Sequence, residues 1–147
     1  MDIRSALDRI VAIQQSLSIT SPVALSIKRA YKYVPPQEAA LDLPCWQNSW
    51  TMVSETRGFG SREQLYTVNM QLLVADADQD RAADIATAFH VALVDALDND
   101  RTLGGTVTRQ DLRGGNPTLV VFERSGNVYL GLNLFLDLVM YEPKTFP

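Results

Sequence analysis

The sequence predicts an α+β fold: a mostly antiparallel sheet of about five to six strands with two helices packed on one face. Two segments carry apolar residues at the i, i+3, i+4 spacing of amphipathic helices. Elsewhere apolar and polar residues alternate, as they do in strands that bury one face. With 147 residues, 46% of them hydrophobic and 20% charged, the chain is long enough for one sizeable core. We therefore expect a single domain over residues 1–147.

The first third of the chain predicts a helix, a strand and a crossing loop. Asp2 to Ser18 forms the helix because its apolar residues recur on one helical face. These residues are Ile3, Ala6, Leu7, Ile10, Val11, Ile13 and Leu17. After a break at Thr20-Ser21-Pro22, alternation from Leu25 to Tyr33 predicts a half-buried strand. Pro35-Pro36 stops this strand, and residues 34–43 are expected to form an irregular crossing loop.

The middle of the chain predicts two strands joined by a glycine-containing loop. Trp46 to Glu55 is strand-like, and Tyr66 to Val74 shows the clearest period-two alternation in the sequence. We expect this second strand to be central in the sheet. Residues 56–63 contain Gly58 and Gly60, which predicts a loop longer than a tight hairpin turn.

Three side chains near the tip of that loop are candidates for a protein interface: Arg57, Phe59 and Arg62. Aromatic residues and arginine are enriched where proteins bind one another, and loops carry such residues at little cost to folding. We predict that the three contact either an adjacent subunit or a second protein of the same assembly. The alternative is a solvated hairpin loop whose arginines only aid solubility.

The remaining residues predict a second helix followed by three strands. Asp76, Asp78 and Asp80 are candidates for its N-terminal cap. The apolar stripe that follows consists of Ala82, Ile85, Ala86, Phe89, Ala92, Leu93, Ala96 and Leu97. Asn99-Asp100 ends the helix, and Gly104-Gly105 permits a sharp reversal. A meander is then expected, with strands over residues 105–112, 118–123 and 128–141 and turns at 114–117 and 125–127.

The last strand has two unequal faces. Its even-numbered residues from Val128 to Met140 are all apolar, which predicts a core face that includes Leu132 and Leu134. The odd-numbered face includes Asn133, Phe135 and Asp137 beside other aromatic and aliphatic residues. Such a face is too apolar for ordinary exposure to solvent, so either a partner covers it or it belongs to a second core layer.

Composition and residue counts argue against several classes of function. A formal net charge of −4 disfavours nucleic-acid binding, which needs clustered Lys and Arg. The first residues lack the apolar region of a secretory signal, which predicts synthesis in the cytoplasm. Residues 128–141 are too short to cross a bilayer as a helix, so no membrane association is expected.

No catalytic, cofactor-binding or metal-binding residue can be assigned. His90 lies beside the apolar stripe without an identifiable nucleophile, and Cys45 between Pro44 and Trp46 suits a buried position. One histidine and one cysteine cannot supply the ligands of a His/Cys metal site. The aspartates at positions 76–80 lack the glycine and glutamate of a calcium loop. Carboxylate pairs elsewhere in the chain stay open as catalytic groups.

Three features of the chain together resemble a known family: the order of its elements, the end of its second helix with the turn that follows, and its closing strand. The helix end and turn read Leu97-Asp98 and Asp100-Arg101-Thr102-Leu103-Gly104-Gly105-Thr106-Val107, and the closing strand begins Val128-Tyr129-Leu130-Gly131. The family is that of tailed-phage tail terminator proteins, also called tail completion or tail-to-head joining proteins. Their second helix ends in a similar D-x-T-L-G-G-x-V turn. The resemblance runs from Met1 to about Tyr141, and its strength lies in the position of the turn after the second helix.

The resemblance implies a non-enzymatic virion protein without a cofactor. Its subunits would form a homo-oligomeric ring, expected to be a hexamer, that caps the tail tube and stops its polymerisation. Its partners would be the tail tube protein and the head connector or stopper protein, and DNA would pass through the ring without specific binding. The protein would assemble in the host cytoplasm and reside in the tail-neck region of the virion.

Two alternatives remain open. The nearer is another phage neck component, such as a head-completion or stopper protein, which would also form a ring but bind a different neighbour. The more distant is a small α+β enzyme or ligand-binding domain, which a deep apolar pocket with convergent polar groups would favour.

Overall fold

The computed structural model describes residues 2–58, 60–74, 79–113, 118–124 and 126–143. Within these ranges the chain forms two helices, α1 (Ile3–Gln15) and α2 (Gln79–Asp98). It also forms eight strands: β1 (Ser18–Ile19), β2 (Leu25–Ser26), β3 (Arg29–Tyr31), β4 (Cys45–Gly58), β5 (Ser61–Val74), β6 (Arg109–Leu112), β7 (Thr118–Arg124) and β8 (Asn127–Pro143). The predicted α+β class is confirmed.

Six of these strands form one sheet, and β1 and β2 form a separate antiparallel pair. In the large sheet β3, β4, β5 and β8 lie side by side in that order, and both β6 and β7 pair with the outer edge of β8. All these pairs are antiparallel except β3 with β4, which is parallel. The predicted central position of β5 is confirmed, since β5 lies between β4 and β8 and pairs with both along its length.

One face of the sheet packs against both helices, as predicted. Even-numbered residues of β5 and β8 are cross-strand partners on this face, for example Met70 with Leu134 and Leu72 with Leu132. They form one buried cluster with the apolar stripes of α1 and α2. Leu132 is 1% and Leu134 is 6% exposed, so both belong to the core. Val128, at the far end of the same face, is largely exposed because it lies outside this cluster.

Three local predictions were wrong in whole or in part. Residues 25–33 do not form one strand but two short ones, β2 and β3, with only β3 joining the large sheet. The predicted meander is confirmed only in its second half, where β7 and β8 form a hairpin, because β6 and β7 do not pair with each other. Instead they pair with successive parts of β8, residues 136–139 and 127–133. The length of β8, 17 residues, makes room for both.

The loop predicted over residues 56–63 is a tight hairpin. β4 continues to Gly58 and β5 begins at Ser61, and these two residues are paired. Gly60 has a φ of 86°, a left-handed conformation that glycine adopts at no steric cost. The pairing of β4 with β5 therefore continues to the residues next to the turn. A register shift between Met52 and Ser54 introduces a bulge into β4, and bulges increase the local twist of a strand pair.

Helix α1 is fixed by polar contacts at both ends. At its start the Asp2 carboxylate accepts hydrogen bonds from the backbone N–H groups of Arg4 and Ser5, which satisfies donors that have no partner within the helix. Near its end Gln14 is completely buried, as is Asn48 of β4. Their amides exchange two hydrogen bonds of 2.9 and 2.8 Å, and Asn48 also donates to the carbonyl of Tyr31.

The glycine turn after α2 also contacts α1. Leu103, Gly104 and Gly105 follow one another with φ values of 47°, 67° and 83°. The Asp100 carboxylate accepts a 2.8 Å hydrogen bond from the Gly104 N–H and a 2.6 Å ion-paired hydrogen bond from Arg9 of α1. The Leu103 side chain is fully buried and Val107 is 1% exposed, so the turn also contributes two residues to the core.

The crossing segment between β3 and β4 lies against the face opposite the helices, at the β7 end of the sheet. Arg124, only 5% exposed, donates hydrogen bonds to the carbonyls of Pro35, Pro36 and Ala39. Residues 37–41 line a cleft together with Arg124, Asn127 and Tyr129. This segment supplies the crossover that two parallel strands require.

The confirmed core leads to a stability prediction. We expect Leu132→Asp to unfold the protein, because burying an unpaired carboxylate costs several kcal/mol against a total stability of about 5–15 kcal/mol. Val128→Asp is the matched control, since Val128 is an exposed residue on the same face of the same strand. Thermal melting followed by circular dichroism measures both. A Leu132→Asp variant that melts like the parent would contradict the strand register.

The turn leads to a pH prediction. Partial burial raises the pKa of Asp100, but the hydrogen bonds from Arg9 and Gly104 outweigh it and leave the pKa below its usual value. The carboxylate therefore stabilises the fold above the unfolded-state pKa of about 3.9, and this contribution is lost as pH falls through the lower folded-state pKa. We expect Asp100→Asn to lower the free energy of unfolding by about 1 kcal/mol at pH 7 and by much less at pH 2. Urea titrations at both pH values measure this, with the exposed Asp84→Asn as control; an equal loss at pH 2 would argue against a charge effect.

Candidate protein-interaction surface

The face of the sheet opposite the helices is covered at one end and open in the middle. At the covered end Cys45, Leu73 and Gly131 are buried. Towards the middle, Asn133, Phe135 and Asp137 alternate along β8 on this same face, and each is half-buried. The three predicted surface residues are thus brought together. The sequence left two alternatives for this face, cover by a partner or a second core layer. In the described part of the chain, a second core layer is present only at the covered end.

Asp137 is the centre of a charged cluster on the open face. Its carboxylate accepts hydrogen bonds of 3.0 and 3.1 Å from Arg113 and one of 2.8 Å from Thr67 of β5. Burial raises the pKa of Asp137, but these hydrogen bonds outweigh it and lower the pKa overall. The Arg113 guanidinium also lies 5.3 Å from the centre of the Phe135 ring. Arginine stacked on an aromatic ring is a common component of protein interfaces.

A row of amide side chains lies beside this cluster. Gln47, Gln71 and Asn133 are cross-strand neighbours on β4, β5 and β8, and Gln47 donates a 2.6 Å hydrogen bond to Gln71. The side-chain oxygens of Gln47, Asn69 and Asn133 are buried and accept no hydrogen bond from the protein. Buried acceptors of this kind normally have a partner, so this row is a polar interruption of an otherwise mixed face.

The predicted hairpin residues are placed in three different ways. Arg57 forms a 2.8 Å ion pair with Glu55 on its own strand and is mostly exposed. Arg62 forms a 2.6 Å ion pair with Glu142 of β8. Phe59 lies outside the described residues. The two arginines therefore support the hairpin through ion pairs and still present their side chains at its surface.

Sequence reasoning missed the exposed edge of β4. β3 pairs with β4 only at residues 45–47, and from Ser49 to Gly58 every residue of β4 is exposed. Among them are Trp50, Met52 and Val53, of which Trp50 packs edge-on against the ring of Tyr66. Large apolar side chains on a strand edge are typical of a surface that another chain covers.

Burial shifts the pKa of both residues that were considered for catalysis, Cys45 and His90. Burial raises the pKa of the Cys45 thiol to about 12, so it stays protonated at neutral pH. Burial also lowers the pKa of His90, which lines an open cleft of about 320 Å³ between α2 and β6. No serine or cysteine lines that cleft among the described residues. Across all the residues that the structure describes, no group of three His, Cys, Asp or Glu side chains could hold a metal ion.

Asp76 and Asp78 lie outside the described residues, while Asp80 is in the first turn of α2. No described helix combines the length and the apolar composition needed to cross a membrane.

No protein-family model matches the chain, and no curated protein matches it either. The residues of the fold itself are therefore the basis for a functional assignment.

Proposed function

We propose that this chain is a tail terminator of a tailed phage, a virion protein whose copies form a ring that caps the tail tube and joins it to the head connector. The observation that carries the proposal is the long β4–β5 hairpin. Residues 49–58 of β4 are exposed, so this part of the strand adds little to the core of the monomer. A surface of this length is expected in a subunit that is covered by its neighbours.

The order of elements supports the same proposal. A first helix, a short strand, a proline-containing crossing, a hairpin, a second helix and a glycine turn follow one another before the closing strand. This is the plan that the sequence resemblance to tail terminators implies. The turn itself, from Asp100 to Val107, is explained by folding, because it joins α2 to α1 through Arg9. It therefore supports the proposal through the family plan and not through a binding role.

The charged residues are compatible with a ring through which DNA passes. The chain has a formal net charge of −4, which does not favour retention of a polyanion. Arginines on the open face and on the hairpin are engaged by carboxylates, as in the pairs Arg113–Asp137, Arg57–Glu55 and Arg62–Glu142. Paired arginines are available for contacts to protein but present less net positive charge to DNA.

Ring formation and tail joining are the tests of this function. We expect the purified protein to form rings visible by negative-stain electron microscopy, and to restore joining when added to tails that lack their terminator. Rings that bind the head connector without stopping the tube would identify another neck component. A protein that stays monomeric at high concentration and in the presence of tail tubes would contradict the proposal.

The hairpin tip leads to a prediction within this function. We expect the triple variant Arg57→Ser, Phe59→Ser, Arg62→Ser to melt within a few degrees of the parent, since surface ion pairs contribute about 0–1 kcal/mol each. It should nevertheless fail to cap or join tails. The control variant Arg4→Ser, Val91→Ser removes exposed residues of the helices. Normal joining by the triple variant would exclude the hairpin tip from the contact.

A further inference from the structure

The large sheet has a free edge along most of β4. Beyond Gln47, no described strand pairs with the outer side of β4, which leaves its backbone groups from Ser49 to Gly58 open to another strand. Proteins commonly protect such edges with charged residues or proline. Residues 49–54 of β4 contain neither. The edge is therefore suited to pairing with a strand of another chain.

The opposite side of the sheet has a second free edge, along β7. On that side β8 pairs with both β6 and β7. In β6 the N–H of Gln110 already donates to the carbonyl of Arg101, so this group is not open to another strand. The only described strand that pairs with β7 is β8. Of the two outer strands, β7 thus offers the longer open edge, with 7 residues against 4.

The two free edges carry matching apolar residues. Trp50 and Met52 lie on the helix-bearing face of β4, because they pair through β5 with core positions of that face. Leu119 and Val121 of β7 lie on the same face, opposite Leu132 and Leu130. In the monomer Trp50 and Met52 are each 40% exposed, Leu119 is 42% and Val121 is 61% exposed. Each edge therefore has a pair of side chains that would be covered by the other.

The strand directions also fit. Strands β4, β5, β8 and β7 alternate in direction across the sheet. A sheet continued from β4 of one copy to β7 of the next therefore keeps the alternation, and the new pair is antiparallel. The helices of both copies then lie on the same face of the joined sheet. Because two different edges meet, the contact is head-to-tail and can close into a ring.

We propose that neighbouring copies of this chain join by antiparallel pairing of the β4 edge, residues 49–58, with the β7 edge, residues 118–124, of the next copy. This pairing rests on the proposed ring and names the contact that builds it. Because β4 is free at the β6 end of the sheet and β7 lies at the other end, successive copies are displaced along the strands. A sheet that closes on itself requires such a displacement.

Disulfide trapping tests the pairing. We would introduce Met52→Cys and Val121→Cys, singly and together. A second double variant would combine Met52→Cys with Leu119→Cys. Within one copy β5 and β8 separate these positions by three strand spacings, roughly 14 Å, which is beyond the reach of a disulfide. The native Cys45 is buried, with its pKa raised to about 12, so it does not compete. Every cross-link found on a non-reducing gel is therefore between copies.

We expect a ladder of cross-linked species from at least one double variant and only monomer from each single variant. Cross-linking of Met52→Cys alone would show that β4 pairs with itself and would overturn the proposal. Rings of unmodified protein without cross-links in either double variant would overturn the pairing but leave the ring function standing. If the unmodified protein forms no rings at all, both the ring function and the pairing are wrong.

A charge placed on one edge gives a second, independent measurement. Met52→Lys puts an ammonium group at the proposed contact, and we expect it to abolish rings while the melting temperature stays within a few degrees of the parent. Val91→Lys, on the exposed side of α2, is the control because Val91 is 54% exposed and lies beside β1, which is not part of the large sheet. Normal rings formed by Met52→Lys would contradict the pairing.

Discussion

The pairing of β5 with β8 is the constraint on which the other elements depend. Every residue of the 14-residue β5 pairs with β8, and one face of this ladder is apolar from Tyr66 to Val74. Both helices are needed to cover that face, so neither is available for the other side. The opposite face is left to the crossing segment at one end and is open in its middle. The interaction surface is thus a direct result of how the core is covered.

Two polar contacts hold the helices in place over that core. The Gln14–Asn48 amide pair joins α1 to β4 and, through the Tyr31 carbonyl, to β3. The ion pair between Arg9 and Asp100 joins α1 to the turn after α2. A buried amide that loses its partner costs about 1–3 kcal/mol, whereas an exposed ion pair contributes less. The amide pair is therefore the stronger determinant of where α1 lies on the sheet.

The sequence was informative where local periodicity and burial coincide. Both helices, the central strand and the core positions of β8 follow from the spacing of apolar residues, and the same alternation placed Asn133, Phe135 and Asp137 on one face. The hairpin was underestimated because Gly58 and Gly60 are typical of a loop, and only pairing with β5 keeps residues 56–58 in a strand. The free edge of β4 was missed because an edge is defined by absent neighbours, which no local pattern encodes.

Gly131 shows how a residue without a side chain can limit variation. A Cβ atom at this position would lie 1.7 Å from the carbonyl oxygen of Leu72 and 3.1 Å from the Phe122 ring. Even alanine would therefore force β5 and β8 apart at the point where the crossing segment covers the sheet. In a saturation mutagenesis library, position 131 should tolerate as few substitutions as the buried leucines. Selection at this site would act on the distance between two backbones, which a hydrophobicity profile does not register.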